Sequence, residues 1–276
     1  MEDEKSTGSV AQTIDAVTGL VKAVPVYEDA VRPAAKEVGK ALETAGKAVN
    51  LALSPVRGLI WGYEKFEKFL SERVGEKMVA TPVDRITTPK PNIAVTAIES
   101  LRLTGDDENL QDLYANLLAS SMDVSMAKGV FPCFVDILKQ LTPDEAKLLR
   151  VLKVDIPLPY LTISVRDKGH TAGFTLMKTF SHYGVQAGCE NEEFTPIYLD
   201  NFVRLGIIEM PQYLRYTGEG VYDELLNDQK IKDLQLGIEQ VEGKELGIDM
   251  KSIIITELGK KFIEVCVDDY SVKQLS

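Results

Sequence analysis

The chain has 276 residues, of which 45% are apolar and 26% charged, with a net charge of −11. That is the composition of a globular protein long enough for one large domain or two ordinary ones, and its acidity disfavours nucleic acid, whose phosphates supply most non-specific affinity. The three cysteines, Cys133, Cys189 and Cys266, are odd in number, widely spaced and form no CxxC pair, which argues against a disulfide framework or a zinc site and for a reducing cytoplasm.

Residues 1–8 read as a disordered tip. The opening MEDEKSTGSVAQT has no apolar run behind a basic start, so no secretory signal is expected. Residues 9–24 place Val10, Ile14, Val17, Leu20 and Val21 on one side of a short helix that Pro25 ends. Residues 27–53 form a helix rich in small residues, regular from about Pro33, with the stripe Ala35, Val38, Leu42, Ala45, Val49, Ala52. Gly39 and Gly46 flank that stripe and cost roughly 1 kcal/mol each in helicity relative to Ala, which makes sense if another helix presses close. Ser54-Pro55 predicts a fresh helix start, with a serine cap and proline in the first turn, running to about Met78 with Trp61 and Phe66 on an aromatic amphipathic face. A turn-rich linker with three prolines covers 81–92.

Helices are expected at 93–103, at 107–122 with Asp106 able to cap it, and at 130–141. Thr142-Pro143-Asp144-Glu145 is a capping box that launches a helix over 143–153. The pattern then changes. Residues 158–166 alternate and are β-branched, a strand; 174–184 read as helix; Thr195-Pro196 starts a helix ending at Gly206; 207–210 form a strand. A polar insert at 212–249 holds a helix at about 221–235, followed by a strand at 250–256 and a closing helix at 257–267.

The fold class expected is mainly α, an N-terminal helical region followed by a smaller α+β winged-helix-like module. The divisions are a short N-terminal stretch (1–30), a helical domain (31–155) and the winged-helix-like module (156–276). In winged helices the equivalent of LDNFVRLGIIE reads DNA in the major groove. From residue 187 onward, however, 18 acidic and 9 basic residues leave −9, and Arg204 is the one basic residue of that helix. A DNA reader needs a basic footprint, so Tyr198 and Arg204 become candidates for contacting a partner protein. His170 and His182 lack metal-ligand spacing, and no Walker loop, GxSxG or dinucleotide fingerprint occurs. No enzyme activity and no cofactor are expected.

Several segments in order resemble a bacterial family, abortive infection alpha: PAAKEVGKAL, LSPVRGLIWGYEKFEKFLSERV, the run Pro89–Ala94, LQDLYANLLASSMD, FVDILKQLTPDEAKLL, YLDNFVRLGIIE and ITELGKKFIEVCV, across about residues 33–268. The resemblance implies a part in defence against phage and transfers no catalytic residue. Two mechanisms fit the residues. In the first, a soluble protein acts through oligomerisation or a partner protein. In the second, an effector uses 34–69 at a membrane surface, with Ala35, Gly39, Leu42, Ala45, Gly46, Val49, Ala52, Trp61 and Phe66 as packing or membrane candidates. No apolar run reaches the roughly 18 residues of a membrane span. A winged-helix DNA-binding regulator is the remaining alternative.

Overall fold

The structure, a computed structural model, describes residues 28–57, 64–102, 107–152 and 156–274. The expected helix at 9–24 and Trp61 lie outside them. Helix α1 (Glu28–Arg57) runs straight through Ser54-Pro55, so the expected break there is corrected. Proline removes the N–H that would bond the Leu51 carbonyl, but Val49, Leu53 and Val56 are buried along one face and hold the last turns in register. Burying each such side chain stabilises by about 1.5–3 kcal/mol, which offsets one missing bond.

The second helical segment, α2 (64–78), contains a π-helical turn at Leu70–Val74. Helix α3 (Pro91–Leu101) follows a linker pinned by a bridge between Ile86 and Asp123. Helix α4 (Glu108–Met122) is capped by Asp107, whose carboxylate accepts the Leu110 N–H at 2.9 Å; Asp106, expected as a possible cap, lies outside the described residues. Helix α5 (Cys133–Leu138) is shorter than expected, and α6 (Pro143–Val151) has the capping box read from the sequence.

Strand β1 (Pro159–Asp167) pairs antiparallel with β2 (Gly173–Phe180) and with β4 (Lys244–Ser252), in the order β2–β1–β4. The helix expected over 174–184 is therefore overturned: its first part is β2, and only α7 (Tyr183–Ala187) is helical. GFTLMKTF has apolar residues at spacings of two and three, so periodicity alone does not choose. Pairing with β1 chooses, through a turn in which Gly169 takes φ +80°. Helix α8 (Thr195–Arg204) ends at Gly206, whose φ of +74° feeds the chain into β3 (Ile208–Glu209). The insert holds two helices, α9 (Asp223–Leu226) and α10 (Gln229–Glu239). The strand expected at 250–256 is split: β4 ends at Ser252, and β5 (Ile254–Ile255) pairs with β3. The Ile253 N–H donates to the Leu158 carbonyl at 2.9 Å, joining the two sheets. The closing helix α11 (257–267) turns π-helical at Ile263–Val267, and α12 (Tyr270–Lys273) follows.

Two hydrophobic cores result among the described residues. The larger one runs from Val49 through α4 and α6 to Leu158, Phe202, Phe262 and Tyr270, so it is continuous across residue 155. The last carbonyls of a helix have no partner within it, and buried α4 side chains meet two of those at the end of α11. Asn116 Nδ2 donates to the Cys266 carbonyl and Ser120 Oγ to the Val265 carbonyl, both at 3.1 Å. Beyond them the Tyr270 hydroxyl donates to Asp123 at 2.7 Å, and the Arg85 guanidinium pairs with the same carboxylate. The smaller core packs α9 and α10 on the sheet through Leu161, Ile163, Tyr222, Leu225 and Ile231.

Candidate functional site

The small-residue stripe is spent largely inside the molecule. Ala45, Gly46 and Val49 are buried. A Cβ on Gly46 would stand 3.1 Å from the Ser71 carbonyl oxygen in the π turn of α2, and one on Gly75 would stand 3.4 Å from the Gly46 Cα. The close approach inferred from the glycines is thus a crossing of α1 and α2 within one chain. Leu42 is half-buried beside Gly75, and Ala52 and Phe66 pack on the edge of the larger core. Gly39 is exposed, with nothing within 4 Å of its would-be Cβ. Ala35 belongs to α1 but its side chain is outside what the structure describes.

Tyr198 and Arg204 are both engaged on α8. Tyr198 is buried, its hydroxyl donating to Asp144 at 3.2 Å. Asp144 also accepts the backbone N–H groups of Glu190 and Asn191, at 2.9 and 3.0 Å, and the Lys147 ammonium at 3.1 Å. Burial pushes the Asp144 carboxyl up, but these donors outweigh it and hold its pKa at about 2. One α6 carboxylate thereby fixes the loop before α8. Arg204 is exposed and donates to Asn201 and to Gln140. Burial pushes the thiols of Cys133, Cys189 and Cys266 up, so they stay protonated at neutral pH.

One side chain that links the insert to the module is His182. Its Nδ1 faces Glu224 at 3.1 Å and its Nε2 faces Asp228 at 2.8 Å, so both ring nitrogens are committed. Clefts of about 330 and 570 Å³ open on either side of it. The larger cleft has β2 from Leu176 to Phe180 as one wall, with Val185, Glu192, Glu193 and Pro196 opposite. Phe174, Leu176, Val185, Phe194 and Ile197 are exposed on the elements around it, at 74%, 41%, 62%, 45% and 63%. The Ser181 hydroxyl lines the same cleft, buried and without a hydrogen-bond partner among the described residues. Sequence reasoning missed this region because it took β2 for a helix. The signal available was the pairing of Phe174 and Leu176 two residues apart. No group of three or more His, Cys, Asp or Glu among the described residues is arranged to hold a metal ion.

A family model described as abortive infection alpha matches residues 62–266. The chain belongs to the abortive infection alpha family. In this family member the Asp144 clamp, the His182 link and both clefts lie inside the matched region, whereas α1 lies before it. No curated protein matches the chain significantly. A solved structure of an uncharacterised protein from the hydrocarbon-degrading marine bacterium Alcanivorax borkumensis SK2 aligns at 23% identity over 52% of this chain and 97% of its own, with a TM-score of 0.33.

Proposed function

We propose that this protein serves bacterial defence against phage, halting the infected cell, and that it does so by binding a partner protein rather than by catalysis. Membership of the abortive infection alpha family supports the first part. The observation behind the second is the exposed apolar area of Leu176 and Val185 in the lining of the larger cleft, with Ile197 exposed on neighbouring α8, since exposed apolar surface beside a groove marks interaction sites. The order α6, β1, α7, α8, β3, β5, with the last strands between β1 and β3, is consistent with a winged helix whose first and last strands are extended into a lobe. On that reading α8 is not a DNA reader, because Arg204 is tied to Asn201 and Gln140 and Asp200 accompanies it.

The membrane reading draws less support. Among the described residues no helix is long and apolar enough to cross a membrane, and Ala45 and Val49 already pack against the protein's own core. The test is expression in a phage-sensitive bacterium, with plating efficiency, culture survival and membrane potential followed together. Plating should fall by about tenfold or more while the potential holds until growth stops. Unchanged plating on a broad phage panel would overturn the defence reading, and depolarisation ahead of arrest would replace partner binding with membrane action.

A further inference from the structure

We infer that the cleft between β2 and the α7–α8 region takes an extended apolar segment of another protein bearing lysine or arginine, which adds as a strand to the free edge of β2. The inference rests on the partner-binding reading above and specifies its chemistry.

Among the described residues, strand β2 is an outer strand of its sheet, hydrogen-bonded to β1 alone, so its far side presents a ladder of N–H and C=O groups that no described strand pairs. Such an edge is a template for another strand unless it is blocked. Here it forms the wall of a cleft of about 570 Å³ rather than being covered. Strand addition draws affinity from main-chain hydrogen bonds and specificity from the side-chain surfaces alongside. Those surfaces are of two kinds. Leu176 and Val185 in the lining offer exposed apolar area, and Phe174 on β2 and Ile197 on α8 extend it beyond the lining. Glu192 and Glu193 are exposed and make no ion pair among the described residues. Carboxylates also prevail in the lining as a whole: Glu192, Glu193 and Asp228 stand against Lys178 and Lys230, and Lys178 is already paired with Asp200 at 3.0 Å. Charge complementarity therefore selects a cationic segment. A second copy of β2 would bring only Lys178, which is committed within its own chain, and nucleic acid would be repelled.

The test uses the purified full chain and two labelled peptides of about ten residues, one alternating valine with lysine and the other valine with glutamate. The valine–lysine peptide should bind at least about tenfold more tightly by fluorescence anisotropy, and its binding should slow amide exchange in β2. Glu192→Lys with Glu193→Lys should abolish or reverse that preference. The same reversal at Glu239 and Glu242, exposed and outside the cleft, should leave it intact. Val185→Asp, on an exposed face, should weaken binding of either peptide without unfolding the protein. Equal affinity for both peptides, equal effects of the two charge reversals, or protection elsewhere than β2 would overturn the inference. Phage plating is scored separately. Failure of the wild type to restrict phage counts against the defence reading alone, whereas loss of charge-selective binding counts against this inference alone.

Discussion

Gly39 and Gly46 sit on one helix and flank one stripe, and the structure gives them opposite meanings. Gly46 is where α1 crosses α2, so added atoms collide with the Ser71 backbone. Gly46→Leu should destabilise by about 1–3 kcal/mol, the range for overpacking, and a loss of function in it would report folding as much as interaction. Gly39 has open space, so Gly39→Ala should stabilise by roughly 0.5–1 kcal/mol through helix propensity alone. Urea melts of the two variants decide this; destabilisation by Gly39→Ala would mean that something covers that face. The stripe was legible in the sequence because small residues at helical spacing announce a close approach. Whether that approach is internal depends on α2 being near, and spacing does not contain that. Asp144 gives the residue-scale pH dependence. Its folded-state pKa of about 2 lies below that of an unfolded aspartate, so its contribution is complete above about pH 4 and is lost as pH falls toward 2. The contribution is about 2 kcal/mol. Asp144→Asn should be less stable than the wild type at neutral pH, and the gap should narrow between pH 4 and 2. A constant gap would show that the carboxylate charge is not what stabilises the loop.

At the scale of elements, the insert is held to the module by its small core and by His182. Burial pushes the Asp228 carboxyl up, but the His182 ring and the Lys230 N–H outweigh it and hold it below the usual carboxylate range. His182→Ala leaves Glu224 and Asp228 facing each other without the ring between them. Amide exchange should then quicken across α9 and α10 while α4 stays protected; unchanged exchange in the insert would remove His182 from its tethering role. Helices with capping signals were legible here. Thr142 and Glu145 make the box they announce, because a cap is decided within four residues. β2 was not legible, because an exposed edge strand takes its conformation from a partner strand and its alternation is short. Ser54-Pro55 misled for the complementary reason: a local start signal yielded to Leu53 and Val56, which the core keeps in a continuing helix.

For the whole molecule, chain order and packing order diverge at the C-terminus. α11 and α12 come last, yet they complete the core of the N-terminal helices: Phe262 packs edge-on against Phe134 of α5, and Cys266 and Tyr270 are fully buried beside α4. The carbonyls of their π turn are the ones that Asn116 and Ser120 satisfy, so removing them strands buried polar groups as well as exposing apolar surface. Each large buried side chain is worth about 1.5–3 kcal/mol, and each orphaned buried group costs about 1–3 kcal/mol. Together these approach the 5–15 kcal/mol that a typical domain has in all. A chain ending at Thr256 should therefore lose cooperative thermal unfolding throughout 64–151, although the deletion removes none of those residues. The small sheet core is built around Leu161, Tyr222, Leu225 and Ile231, none of them in the deleted segment. Exchange measured on the truncated chain should thus show deprotection of α4 beyond anything seen in β1. Retained protection of α4 with a sharp melt would mean that the helical region folds without its C-terminal strap, and the two cores would then be independent units.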